Sequence, residues 1–363
     1  MNDWSKRLQS LTGEGSTDAG DDARRLARVE RSRTEMLAQG TAIAETLARE
    51  AGAVTRLADK WRGKIGRVVI LGCGDSWFAA IATRLAWERL TGLPTEPAQA
   101  FDWAHYASAT ANARTLVIGL TSGGNTPAVM AGLRMAQARG AMTLGITNTA
   151  GSPVVTEFDG LMVHATRRGW PTQSSTAAIA LLIALAGALG GRALDMGGLP
   201  AIVDAVARDF DARARAVAKR WAETRLVLFA GGGPNFAAAA FGAAKVKELS
   251  PIHAIAMPIE EYHHYRAQKA GDPLFLVAPD AESRERALDT ALVSQDVGGN
   301  TVALLMDEDV EIAARVGESW ILPRVAPELA PIVASVPLHL FAYHFAKARF
   351  ARGLGYPPAL GPA

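Results

Sequence analysis

The stretch VVILGCGDSWFAAIATRLAWE, residues 68–88, decides the fold. It opens on a run of apolar residues, as a strand covered on both faces requires. Gly72, Cys73 and Gly74 then break the strand, and Asp75 and Ser76 open a helical pattern at once. A strand–glycine turn–helix junction presents backbone N–H groups to an anion. It also serves as a tight turn that binds nothing, so the junction alone leaves its purpose open.

Outward from this stretch, strands and helices alternate. Residues 67–72, 115–120, 142–147 and 160–164 read as strands; 76–90, 126–138 and 174–190 read as helices. That order predicts an α/β fold with a parallel sheet covered on both faces. The layout then recurs in RLVLFAGGGPNFAAAAFGAAKVKEL, residues 225–249: buried strand, three glycines, helix. Strands over 273–278 and 300–305, a helix over 284–297 and a final helix over 330–352 complete a second half. Residues 1–21 read as a loose tail and 22–61 as helical. Residues 22–199 read as a first domain, and 200–363 as a second that begins with the joining helix over 200–219. A duplicated α/β chain places its site at strand ends, where the halves meet.

Composition narrows the function. A net charge of +2 over 363 residues gives no reason to expect a polyanionic partner such as nucleic acid. Cys73 is the only cysteine, which excludes an intramolecular disulfide and suits a reducing, cytoplasmic compartment. The polar first 20 residues lack a signal-peptide pattern. The apolar run 176–189 is short for a bilayer and reads as a core helix, so no membrane partner is expected.

Two further polar loops precede helices. In GLTSGGNTPAV, residues 119–129, Thr121, Ser122, Asn125 and Thr126 crowd around Gly123 and Gly124. Hydroxyls and N–H groups at a helix start suit a tetrahedral oxyanion. Thr126 reads equally as a helix cap, with Pro127 at the first helical position. PTQSST, residues 171–176, is a third such cluster. There is no Walker sequence, and neither glycine loop completes a dinucleotide fingerprint. No cofactor and no metal are expected.

Together these residues resemble the tandem sugar isomerase (SIS) domain family: the isomerase half of glucosamine-6-phosphate synthase and the fructosamine-6-phosphate deglycases. Cys73-Gly74-Asp75-Ser76 is similar to that family's Cys-Gly-Thr-Ser loop. Thr121-Ser122-Gly123-Gly124-Asn125-Thr126 is similar to Ser-Gln-Ser-Gly-Glu-Thr, and Ser174-Ser175-Thr176-Ala177 to Ala-Ser-Thr-Lys. KVKELSPIHAIAM, residues 245–257, resembles KLKEISYIHAEAY, and EEYHHYR, residues 260–266, keeps the spacing to the family's histidine.

The resemblance implies two doubly wound, flavodoxin-like SIS domains in tandem. It implies that Cys73, Gly74, Asp75, Ser76, Thr121, Ser122, Gly123 and Thr126 hold a sugar phosphate, with Gln173, Ser174 and Ser175 of the third loop and Arg168 beside them. It implies Glu248 and His264 as the catalytic pair and a homodimer whose sites are shared, the histidine arriving from the partner. Taken alone, Glu248 reads as a helix-surface carboxylate near Lys245, His264 as a capping or core histidine, and His263 as a minor candidate. A carboxylate base and a histidine shuttle suit proton transfer between C1 and C2 and ring opening.

The departures bear on the reaction. Tyr265 and Arg266 follow the histidine where the family has Gly-Pro. The chain opens Met1-Asn2, not on a glutaminase nucleophile, and its tail YPPALGPA has no ring-opening lysine. Glutamine-dependent amination and an imine at the tail are therefore not expected. Arg167 and Arg168 read as an exposed basic turn, or as readers of a second acidic group or a sulfonate on the substrate. The expected activity is that of a fructosamine-6-phosphate deglycase or deaminase. The alternatives are an aldose–ketose isomerase acting on a sugar phosphate or sulfonate, and a non-catalytic phosphosugar sensor.

Overall fold

The computed structural model describes residues 19–166, 169 and 171–355. Residues 1–18 of the expected loose tail, Arg167 and Arg168, and the tail from 356 onward lie outside the described residues.

Two helices come first: α1 (Ala23–Leu37), whose Asp22 cap accepts the Arg24 N–H, and α2 (Gln39–Trp61). The sequence reads as one helix here. It divides at Ala38, which leaves helical geometry; Gly40, just inside α2, lies so close to Pro200 and Asp204 that a Cβ would fall 2.3 Å from the Asp204 carboxylate.

The first half then runs β1 (Arg67–Gly72), α3 (Asp75–Thr91), β2 (Thr95–Gln99), β3 (Thr115–Leu120), α4 (Pro127–Ala138), β4 (Met142–Thr147), β5 (Asp159–Met162) and α5 (Gln173–Gly190). Its sheet is parallel throughout, in the order β2-β1-β3-β4-β5. Helix α6 (Leu199–Trp221) leads to β6 (Leu226–Gly231), α7 (Asn235–Leu249), β7 (His253–Pro258), α8 (Ile259–Tyr265), β8 (Pro273–Val277), α9 (Arg284–Asp296), β9 (Asn300–Leu305), β10 (Glu318–Ile321) and α10 (Ala330–Phe350). The second sheet, β10-β9-β8-β6-β7, is the first order read from its other edge. Both halves are doubly wound, flavodoxin-like α/β units.

Three strands are not apparent in the sequence: β2, β7 and β10. All are sheet edges, paired on one side only. An edge strand need not be apolar on both faces, so TEPAQ, with Glu96 and Pro97, carries no buried run.

The halves share one core. Phe78 of α3 meets Phe241 of α7 edge to face, ring centroids 5.6 Å apart. Helix α5, apolar from Ala177 onward, is 83% buried inside the molecule. Helix α1 packs on α10: the Tyr343 hydroxyl donates to Glu30 at 2.8 Å, and Lys347 pairs with the same carboxylate at 2.6 Å.

Candidate functional site

The glycines of the opening stretch have distinct tasks. A Cβ on Gly72 would fall 2.4 Å from the Ser76 backbone, so the helix start folds back onto the strand end. Gly74 takes φ +55°, which a side chain rarely adopts. The second half repeats the device. A Cβ on Gly231 would meet the Asn235 backbone at 2.6 Å, and Gly233 takes φ +50°.

The two junctions differ in what they face. In the second half the Asn235 amide donates to the Asp280 carboxylate, which also accepts the Ser283 N–H at 2.8 Å. That helix start is tied to the segment after β8. In the first half a cavity of about 320 Å³ remains. It lies where the starts of α3, α4 and α5 converge beyond the ends of β1, β3 and β4, and each helix directs its positive end there.

The polar part of the cavity wall is mostly neutral donors. Cys73, Gly74, Asp75 and Ser76 line it from the first loop, Thr121, Ser122, Gly123 and Thr126 from the second, Ser174 and Ser175 from the third. The Thr121 and Thr126 hydroxyls are 2.7 Å apart, so Thr126 stands at the cap position of α4 without capping it. Asn148, which no sequence motif marked, also lines the cavity and accepts the Ser122 hydroxyl at 2.7 Å. Burial raises the Cys73 thiol pKa above its usual value and keeps it protonated.

Thr126→Val removes one hydroxyl without changing side-chain shape. If that hydroxyl meets a ligand oxyanion, affinity for a hexose phosphate should fall roughly ten- to hundredfold, from about 1.5–3 kcal/mol for a charged hydrogen bond. Calorimetry that gives equal affinities for variant and wild type removes Thr126 from the site.

The remaining wall comes from the other half. Glu248, near the C-terminus of α7, lines the cavity and is half-buried. Its Oε2 is 2.6 Å from Lys245 Nζ, and the same ammonium is 2.6 Å from Asp75 Oδ2. Lys245 is completely buried. Burial opposes its charge, but Asp75 and Glu248 override this and push its pKa up to about 12. Glu248 is held above the usual carboxylate range, chiefly by burial, with Lys245 opposing and Asp75 reinforcing the rise. Lys245 was legible only as a neighbour of Glu248, because nothing local shows that α7 turns it towards α3.

Three candidates lie elsewhere. Gln173 is buried away from the cavity, and its amide donates to the Thr166 carbonyl. His264, on α8, is 64% exposed, 3.6 Å from Glu260 and not part of the cavity wall. His263 packs towards α9, 3.0 Å from the Thr290 hydroxyl. Arg168 is outside the described residues. Among the described residues no group of three or more His, Cys, Asp or Glu could hold a metal ion.

Residues 64–188 match the SIS domain family. Over 301 residues, 78% of the chain, the sequence is 32% identical to glutamine–fructose-6-phosphate aminotransferase (isomerizing) of Thermus thermophilus, covering 49% of that protein. The chain thus spans about half the length of the curated relatives it matches. The C-terminal domain of glucosamine-fructose-6-phosphate aminotransferase from Francisella tularensis has the same fold, with a TM-score of 0.74 and 21% identity over 89% of this chain and 94% of that one. Tagatose-6-phosphate ketose/aldose isomerase from Escherichia coli follows, with a TM-score of 0.72 and 17% identity over 86% and 91% of the two chains.

Proposed function

We propose, from the match of residues 64–188 to the SIS domain family, that the chain is a sugar-phosphate enzyme acting at C1 and C2 that releases the amine from a fructosamine 6-phosphate. The carrying observation is one cavity in which three helix starts and their hydroxyls face Glu248, a carboxylate of raised basicity. The hydroxyl wall suits the phosphate and Glu248 the reacting carbons.

The steps balance without an added oxidant or reductant. Glu248 takes a proton from C1 of the open-chain ketosamine, leaving an enaminol. A proton returned to C2 moves the double bond to C1–N. Water adds at C1, the C1–N bond breaks, and the amine departs with a proton, leaving an aldose phosphate. An isomerase would use the same first proton transfers on a substrate without nitrogen. What favours the amine is the pairing of two carboxylates, Asp75 and Glu248, with one lysine. A protonated amine beside Asp75 and Glu248 would be attracted to both carboxylates.

The test is to incubate the chain in D₂O with fructosamine 6-phosphates and with plain ketose and aldose phosphates, following amine release and isomer formation by NMR. Amine release with deuterium at C1 or C2 supports the proposal. Isomer formation alone moves the assignment to an isomerase, and binding without turnover makes the chain a sensor.

His264 enters as a dimer proposal. It is exposed and off its own chain's cavity, which suits a side chain that serves a second copy. A mixture of Glu248→Gln and His264→Ala chains should then regain activity that neither has alone. No recovery, in a mixture shown to exchange subunits, would argue for a self-contained site.

A further inference from the structure

Asp75 opens α3 and points across the boundary between the halves. Its Oδ2 is 2.6 Å from Lys245 Nζ and accepts the Ser175 hydroxyl at 3.3 Å; its Oδ1 is buried with no hydrogen-bond partner among the described residues. The same lysine nitrogen is 2.6 Å from Glu248 Oε2. One buried ammonium therefore serves two carboxylates, one from each half.

We propose that Asp75 is a positioning residue for Glu248: by taking a share of the Lys245 ammonium, it keeps Glu248 from full pairing and so leaves it able to accept a substrate proton. This rests on the reading of Glu248 as the base. A carboxylate beside one buried cation of its own is a poor base, because ionisation is stabilised by about 1–3 pH units. A second carboxylate on the same cation weakens that attraction and adds repulsion, both in one direction.

The charged groups facing Glu248 are Lys245 on its own helix, Asp75 on α3, and Arg28 and Arg25 on α1, the last donating to the Glu248 carbonyl at 3.5 Å; of the groups that shift the carboxyl only Asp75 raises its basicity. His339 of α10, near the same lysine, contributes no charge, since burial holds it neutral with a pKa of about 3. Asp75 thus sets how much of the lysine Glu248 receives.

The test is Asp75→Asn, which keeps the shape and removes the charge, with Asp75→Thr as a second variant. The Glu248 carboxyl is titrated by ¹³C NMR in the full chain, its signal identified by loss in Glu248→Gln, and kcat/KM is followed against pH. The midpoint should fall by about one pH unit in both variants, and the acid limb of the rate profile should move with it. A merely structural role would lower the rate at every pH and leave the midpoint in place. An unmoved or raised midpoint overturns the proposal whether or not the chain turns over. A lowered midpoint in a chain inactive on every sugar phosphate supports the charge sharing and overturns instead the reading of Glu248 as the base.

Discussion

Glu248→Gln is expected to lower turnover by roughly 10²–10⁴-fold while sugar-phosphate binding stays near wild type. The amide keeps the shape of the side chain at the cavity wall but cannot accept a proton from C1. The oxyanion wall belongs to the other half and is not touched. Deuterium incorporation at C1 or C2 should vanish with turnover. The pH dependence has a definite sign. Glu248 must be ionised to act, and burial holds it above the usual carboxylate range. Wild-type activity should therefore fall on acidification at a higher pH than an exposed glutamate would give. Retained turnover in the variant would remove Glu248 from the mechanism, and Glu260, Glu261 and His263 on the neighbouring segment would be examined next.

Lys245→Met is expected to destabilise the chain by about 3–5 kcal/mol at neutral pH, the cost of stripping the partner from buried charges. It leaves Asp75 and Glu248 facing each other without their shared cation. The sign with pH follows from linkage. The lysine is raised to about 12 in the folded chain, so its contribution is complete below the unfolded value of about 10.4 and is lost only as pH rises through the folded one. Once the lysine is gone, the two carboxylates repel, and acidification relieves them. Urea unfolding should thus show a larger deficit at pH 7 than at about pH 5. Adding Asp75→Asn and Glu248→Gln to Lys245→Met should restore much of the loss, because a buried charge cluster replaced as a whole costs little. A deficit below about 1 kcal/mol at neutral pH would mean that water reaches the cluster and the lysine is not its keystone.

Much of this was legible from local chemistry. Central strands such as VVILG and LVLFAG are apolar on both faces because helices cover both, and the glycines after them are demanded by the close return of the helix start. Edge strands were not legible, since one-sided pairing relaxes the apolar requirement: TEPAQ is only partly buried and HAIAMP carries exposed positions. The break at Ala38 was also silent, because alanine is a good helix former and nothing local marks an end there.

The site divides in the same way. The sequence by itself determined three polar loops at strand-to-helix junctions in the first half, because each separates an apolar run from a helical pattern. It also determined the duplication and the spacing from Lys245 to Glu248. Only the tertiary structure decided that those loops share a cavity while the matching helix start of the second half is hydrogen-bonded to Asp280. Only it decided that Gln173 turns inward to Thr166, that His264 stands off its own chain's cavity, and that Lys245 meets Asp75. Helix and strand propensities act over a few residues. The charge on Glu248, by contrast, depends on a lysine one turn away, an aspartate 173 positions earlier and an arginine on the first helix, and folding alone brings them within reach of one another's fields.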